Sequence, residues 1–236
     1  MDIFKKTMTR LRRYSNPKQL LWRLKVGNKK FVLHEYKKED GTFDYEAYKK
    51  IQNQGNHGKL EMVNAQKEDI GFLATYIKQN IASVSSGVCH GTRRGLEQKW
   101  FTDALGANVL GTEIADTATD FPNTVQWDFH EDNSKWHNTF NFVYTNSFDH
   151  AYNPKKALDN WMKTLKNGGV CIIEHSLQQV PAATSELDPF GASLDIMPFL
   201  VLQWSEGKYA VREIITSDCI EDKFGIPRTY LVIMNN

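Results

Sequence analysis

Long apolar runs are missing from this 236-residue sequence. No stretch approaches the roughly 20 residues of a membrane-spanning helix, and the N-terminus lacks the uninterrupted apolar segment of a secretory signal. Cysteine is scarce. Cys89, Cys171 and Cys219 are scattered, odd in number and without a C-x-x-C, which argues against a disulfide framework and for reduced thiols, so a cytoplasmic protein is expected. Net charge is also nearly absent, at +1, so the molecule as a whole is no obvious nucleic-acid binder. Nucleophile elbows, P-loops and His or carboxylate pairs at metal-ligand spacing do not occur, and no metal ligand is assigned. Repeats, low-complexity tracts and long linkers are missing too.

What remains is an ordinary apolar and charged composition, enough for one α/β domain with a buried core and an N-terminal extension. The charge is unevenly spread: residues 1–40 hold twelve Lys or Arg against four Asp or Glu. Two short amphipathic helices are predicted there, separated by Pro17. Their basic face reads either as a solvated surface packed on the domain or a second subunit, or as an arm for an anionic partner. Phe31-Val32-Leu33 reads as a short strand. Asp44 is a plausible N-cap for a helix from Tyr45 to about Gln54, ended by Gly55. A further helix is expected from about Asp69, with Ile70, Phe72, Leu73, Tyr76 and Ile77 on its apolar face.

The stretch Val84 to Glu113 organises the rest. Val84 to Cys89 reads as a buried strand, and His90-Gly91-Thr92-Arg93-Arg94-Gly95 as a turn. Leu96, Trp100, Phe101 and Leu105 fall at helical spacing, and Gly106 stands where a C-cap is expected. A second run, Asn108 to Gly111, leads to Glu113. Strand, glycine turn, helix, strand and acid form the mononucleotide-binding half of a doubly wound sheet. Glycines let the backbone pass close to a ligand, and a carboxylate at the next strand end can accept ribose hydroxyls.

Further strands are expected within Phe121 to His130, from Thr139 to Ser147 with Phe140, Phe142 and Tyr144 on one side, and over Val170 to Ile173. A helix from Pro154 to Leu165 and a Lys166-Asn167-Gly168-Gly169 turn join the last two, making a second βαβ unit. Ser176 to Met197 is a long loop, either functional or a surface excursion with one Pro-Gly turn. Phe199 to Trp204, Tyr209 to Ile215 and Thr229 to Met234 read as strands or strand-like runs.

The ordered set resembles the class I S-adenosylmethionine-dependent methyltransferases of the small-molecule type over residues 70 to 236. It comprises the G-T-R-R-G turn, Glu113 twenty-two residues after Gly91, Asp128, the Asn146–His150 turn and K-x-G-G. Cys89 stands where that family usually has an acid, Arg93 replaces the middle glycine, and Asn167 replaces a proline. The resemblance implies a Rossmann-like, mostly parallel seven-stranded sheet with an antiparallel C-terminal strand, preceded by a helical extension over residues 1–69. It implies S-adenosyl-L-methionine as cofactor. Gly91, Thr92 and Gly95 would lie beneath its methionine and ribose, Glu113 at the ribose hydroxyls, Asp128 and Phe129 at the adenine, and Asn146 and Ser147 at the methionyl end. Arg93 would either reach the cofactor carboxylate or pair with a surface acid.

Methyl transfer from a sulfonium mainly requires alignment, and a base only for a hydroxyl or protonated amine. His150 is the candidate base, with His175 and Glu174 next; each also reads as a hydrogen-bonded structural residue. His90 reads as support for the glycine turn. The expected function is methylation of a small-molecule or sugar-like acceptor. A methyltransferase-like binding module without turnover, or an RNA methyltransferase using the basic arm, are the alternatives. A homodimer is compatible with the basic arm.

Overall fold

The computed structural model describes residues 27–221 and 227–236. The two basic helices expected around Pro17 lie outside the described residues. Seven strands form one sheet: β2 (Ser86–His90), β3 (Asn108–Glu113), β4 (Thr124–Gln126), β5 (Phe140–Thr145), β6 (Leu165–His175), β8 (Tyr209–Glu221) and β9 (Pro227–Asn235). Their spatial order is β4-β3-β2-β5-β6-β9-β8. Pairings from β4 across to β6 are parallel, and β9 is antiparallel to both β6 and β8. The expected doubly wound sheet is therefore present. The chain leaves β2 outward through β3 and β4, then returns to β5 on β2's other side. That reversal opens a crevice at the strands' carboxyl ends, where open α/β sheets bind ligands.

Alternation within the strands builds two cores. Val143, Cys171, Ile173, Leu231 and Ile233 face one side, under α4 (Pro154–Thr164) and α5 (Met197–Ser205). Phe142, Tyr144, Ile172, Tyr230 and Val232 face the other, under α2 (Lys67–Asn80) and α3 (Leu96–Leu105). Every residue of β5 is buried, as expected for a central parallel strand covered on both faces. Cys89 and Cys171 are free thiols buried on opposite faces, used as small apolar residues.

Several boundaries differ from the sequence reading. α1 (Tyr45–Gly58) does not stop before Gly55. The missing side chain there admits Leu187, which would collide with a Cβ, so packing outweighs glycine's poor helix propensity. The Asp44 cap is present, its side chain accepting from Ala47 N at 3.0 Å. Phe140 packs with Val143 rather than beside Phe142 and Tyr144. The cause is a register shift between Phe140 and Phe142, where β6 runs from Leu165 to Val170 through the glycine pair. Gly168 has the expected left-handed φ of +74°.

Phe199 to Trp204 belongs to α5 instead of a strand. Pro198 suits the first helical turn, and Glu206 with φ +52° ends the helix. Its apolar run had no periodicity to distinguish the two forms. Phe190 and Gly191 are not a turn either: β7 (Phe190–Ala192) pairs antiparallel with β1 (Phe31–Leu33), tying residues before α1 to the loop after β6. No helix among the described residues is long and apolar enough to cross a membrane.

Candidate functional site

At the end of β2 the chain turns through Gly91 (φ +72°), Arg93 (φ +45°) and Gly95 (φ +73°). Gly91 N and Thr92 N both donate to Thr112 O, at 2.8 and 3.1 Å, so the turn is held against β3. A Cβ on Gly91 would stand 2.7 Å from Ser147 Cβ. Gly91→Ala is therefore expected to lose about 1–2 kcal/mol from the left-handed backbone alone. Displacement of Ser147 would add to that loss, and urea unfolding would measure the total. Gly95 serves elsewhere. It precedes α3, packs against Gln98 and Thr124, and lines neither cavity described below.

Arg93 takes the left-handed conformation that a glycine would adopt more cheaply. Its side chain meets no surface acid among the described residues; Nη1 donates to Met62 O at 2.8 Å and Lys59 O at 3.2 Å. The surface acid is met by Arg94 instead, through Glu61 at 3.0 Å. Arg93 N donates to Glu113 Oε2 at 3.0 Å, while Glu113 Oε1 accepts from Ala115 N at 3.1 Å. Each carboxylate oxygen keeps a lone pair for another donor.

Opposite Glu113, Asp128 follows β4. Its Oδ1 accepts from His130 N at 2.9 Å and His130 Nδ1 at 2.7 Å. Burial alone would raise the Asp128 pKa, but the His130 bonds outweigh it and hold it below the ordinary value. His130 is itself pushed down by burial, so a neutral ring donates through Nδ1. Asp128 Oδ2 is buried and meets no donor in good hydrogen-bond geometry among the described residues, although the Tyr45 hydroxyl acts on the same carboxylate and helps to lower its pKa. An acceptor so placed gains from a well-aligned ligand donor. Phe129 is fixed from behind by Trp161, whose ring meets it edge-on at 5.4 Å and whose Nε1 donates to Phe129 O at 2.8 Å.

These groups line an open cleft of about 520 Å³, which includes Gly91, Glu113, Asp128, Phe129, Ser147 and His150. Its roof was not foreseen. Tyr48, Gln52, Gly55 and Asn56 come from α1, Lys59 caps its C-terminus, and Leu187 comes from the loop after β6. Their spacing places them along one face of α1, a signal the chain carried but the sequence reading left unused. A second cavity of about 310 Å³ shares Gly91, Arg93 and Ser147 with the first and adds Thr92, Glu97 and Asn146. Ser147 thus stands between the two, with Asn146 on the smaller one. Ser147 Oγ donates to Gly91 O at 3.1 Å, and Gln179 Nε2 donates to Asn146 O at 3.0 Å.

His150 Nδ1 lies 2.9 Å from both Gln52 Oε1 and Leu187 O. Two acceptors there require the proton on Nδ1, so neutral His150 presents Nε2 as an acceptor. Asp188 Oδ1 is 3.6 Å from that nitrogen. Burial raises the Asp149 pKa to about 6, with His150 opposing and Asp188 adding to the rise. Ligand atoms of Asp149, His150 and Asp188 lie within 4.8 Å of one another, a set that could also hold a cation and that sequence spacing did not disclose.

The other candidates from the sequence are occupied. His175 Nε2 lies 2.9 Å from Ala192 O, and burial lowers its pKa. Glu174 is taken by Arg228 at 2.6 Å. His90 contacts Thr112 Oγ1 at 2.8 Å, stacks on Trp161 at 4.9 Å, and is pushed by burial to a pKa of about 3. It supports the turn, as expected.

No family model and no curated protein matches this sequence. Solved structures do resemble it. The 1,6-didemethyltoxoflavin-N1-methyltransferase of Burkholderia thailandensis, solved with bound 1,6-didemethyltoxoflavin and S-adenosylhomocysteine, is 11% identical with a TM-score of 0.61, over 83% of this chain and 92% of that one. The plantazolicin methyltransferase BpumL, solved with a desmethyl analogue and the same cofactor product, is 12% identical with a TM-score of 0.59, covering 81% and 96%. N-methyltransferase NodS of Bradyrhizobium japonicum is 12% identical with a TM-score of 0.55, covering 78% and 98%. At such identities the likeness is one of architecture, and with the strand order and glycine turn it establishes that this chain has the class I S-adenosylmethionine-dependent methyltransferase fold.

Proposed function

We propose that the protein is an S-adenosylmethionine-dependent methyltransferase acting on a small-molecule acceptor. The observation that carries this reading is the buried Asp128 carboxylate, whose Oδ2 meets no donor in good geometry among the described residues, in the cleft where Glu113 also presents its carboxylate. An adenine amino group would satisfy the first and ribose hydroxyls the second, with Phe129 against the ring. Gly91 supports the fit, since any side chain there would meet Ser147. Arg93 keeps the turn despite replacing a glycine, because its side chain leaves for the carbonyls of Lys59 and Met62.

When bound, the cofactor supplies a methyl group on a sulfonium, with a thioether as leaving group. The chain's part is to align and to exclude water. Asn146 and Ser147 would hold the methionyl end, where the smaller cavity meets the cleft. α1 covers the cleft, and its Tyr48 hydroxyl donates to His150 O at 3.2 Å, fixing the roof to the acceptor end. His150 would take the acceptor's proton at Nε2, because Nδ1 already donates to Gln52 and Leu187. Asp188 beside Nε2 would stabilise the imidazolium formed.

Thermal unfolding with millimolar S-adenosylmethionine, S-adenosylhomocysteine or NAD tests the assignment. Both adenosyl ligands are expected to raise Tm by several degrees, since saturation at a hundred times Kd adds about 2.7 kcal/mol. NAD should give no shift, and Glu113→Ala should abolish the response. Absence of a shift with either adenosyl ligand would overturn the reading. A positive result would be followed by an acceptor screen with wild type and His150→Gln.

A further inference from the structure

Behind the glycine turn two buried carboxylates share one cation, and a third stands outside that pairing. Arg228 Nη1 lies 2.6 Å from Glu174 Oε1, and Arg228 Nε is 3.1 Å from Asp69 Oδ2. Glu97, in the first turn of α3, shares in neither contact. It is 8% exposed, and among described side chains its hydrogen bond is from Asn146 Nδ2, at a long 3.4 Å. The guanidinium that acts on it, Arg93, is committed through Nη1 to two backbone carbonyls. Burial therefore dominates and raises the Glu97 pKa to about 7; Arg93 and Asn146 oppose the rise, and Glu174 adds to it.

A buried carboxylate without a paired cation is costly in a folded chain. Glu97 faces the smaller cavity, which continues the cleft past Gly91 and Ser147. A second polar group there is also unsatisfied. Thr92 Oγ1, in the same wall, is buried without a partner on a residue only 3% exposed. Cys89 is near enough for Glu97 to add to the burial that raises its thiol pKa. The acid usual at position 89 is therefore missing while a carboxylate stands close by on the next helix.

We infer that Glu97 is the anionic receptor for a primary ammonium on the ligand's amino-acid end, with Thr92 Oγ1 accepting a second hydrogen from the same group. This rests on the proposed adenosyl cofactor and assigns its ammonium to a residue that the glycine-turn pattern does not include. The cation would complete the charge balance that Arg228 leaves short, and would itself be desolvated only where a carboxylate waits.

The test is calorimetric titration of wild type and Glu97→Gln with S-adenosylhomocysteine and with 5′-methylthioadenosine. The second ligand keeps the adenosine and thioether but has no amino-acid end. Removing a charged hydrogen-bond acceptor predicts a roughly 10- to 100-fold loss of S-adenosylhomocysteine affinity. Methylthioadenosine affinity should stay within about twofold, which also shows that the variant is folded. Glu97→Asp, which keeps the charge but withdraws it, should fall between. Equal weakening of both ligands, or of neither, would overturn the inference while leaving the cofactor reading intact. Failure of wild type to bind either ligand would overturn both.

Discussion

Arg228→Met is expected to destabilise the protein by about 3–5 kcal/mol at pH 8, the range for removing one partner of a buried ion pair. Arg228 joins three parts of the chain: Asp69 on α2, Glu174 on β6, and Asn64 O, which accepts from Nη2 at 2.7 Å. Asp69 and Glu174 are 1% and 6% exposed, so neither can recover hydration when the guanidinium is lost. Asp69 Oδ1 keeps the Ser217 hydroxyl and Glu174 Oε2 keeps the Tyr144 hydroxyl, but two like charges would remain without a cation between them.

The loss should depend on pH. Burial lifts the Glu174 pKa to about 7 even with Arg228 opposing it, and removing Arg228 lifts it further. A carboxyl raised above its unfolded value favours the native state most below the unfolded pKa, and that advantage fades as pH rises through the folded value. At pH 5.5 a protonated Glu174 needs no cation, so the variant should recover much of its deficit. Urea unfolding at both pH values measures this. A deficit independent of pH would assign Arg228's contribution to the packing of its aliphatic stem.

Trp161→Ala should cost about 3–5 kcal/mol, the usual range for emptying a buried aromatic site, and should also weaken adenosyl-ligand binding. Trp161 is 1% exposed on α4. It stacks on His90 at 4.9 Å, meets Phe129 at 5.4 Å and Phe148 at 5.5 Å, and donates to Phe129 O at 2.8 Å. One ring thus braces the residue behind the glycine turn and the residue expected against adenine. Trp161→Phe separates the two effects. Most of the packing survives, so the stability loss should drop to about 1–2 kcal/mol, near the cost of one unsatisfied carbonyl. Ligand affinity should still fall, because Phe129 loses its backbone anchor. Unchanged affinity in that variant would show that Phe129 is held without the Trp161 hydrogen bond.

The parts of this protein legible in the sequence are those that local chemistry controls. Gly91, Gly95 and Gly168 adopt positive φ, and a glycine does so without a Cβ penalty. Asp44 caps the helix it precedes because its side chain reaches an amide three residues on. The two βαβ units followed from where the turns and acids fell, since a right-handed crossover leaves few alternatives. Glu113 and Asp128 could be named because one closes a strand and the other follows one at the sheet's carboxyl edge.

Where the signal is not local, the tertiary structure decided. A short apolar run such as Phe199 to Trp204 satisfies either period, and it became helix under the sheet with Pro198 in its first turn and Glu206 at its end. Gly55 read as a stop and became the seat for Leu187, 132 residues away along the chain. Arg93 was read against a carboxylate of cofactor or surface, and folding adds two carbonyls after α1 that its Nη1 reaches. The same holds for His150 with Gln52 and Leu187, and for Glu97 beside the Arg228 pair. Each of these depends on which charges and amides are shut away from water together. Burial makes that choice over long sequence separations, whereas the glycine turn is set by the backbone of six consecutive residues, His90 to Gly95.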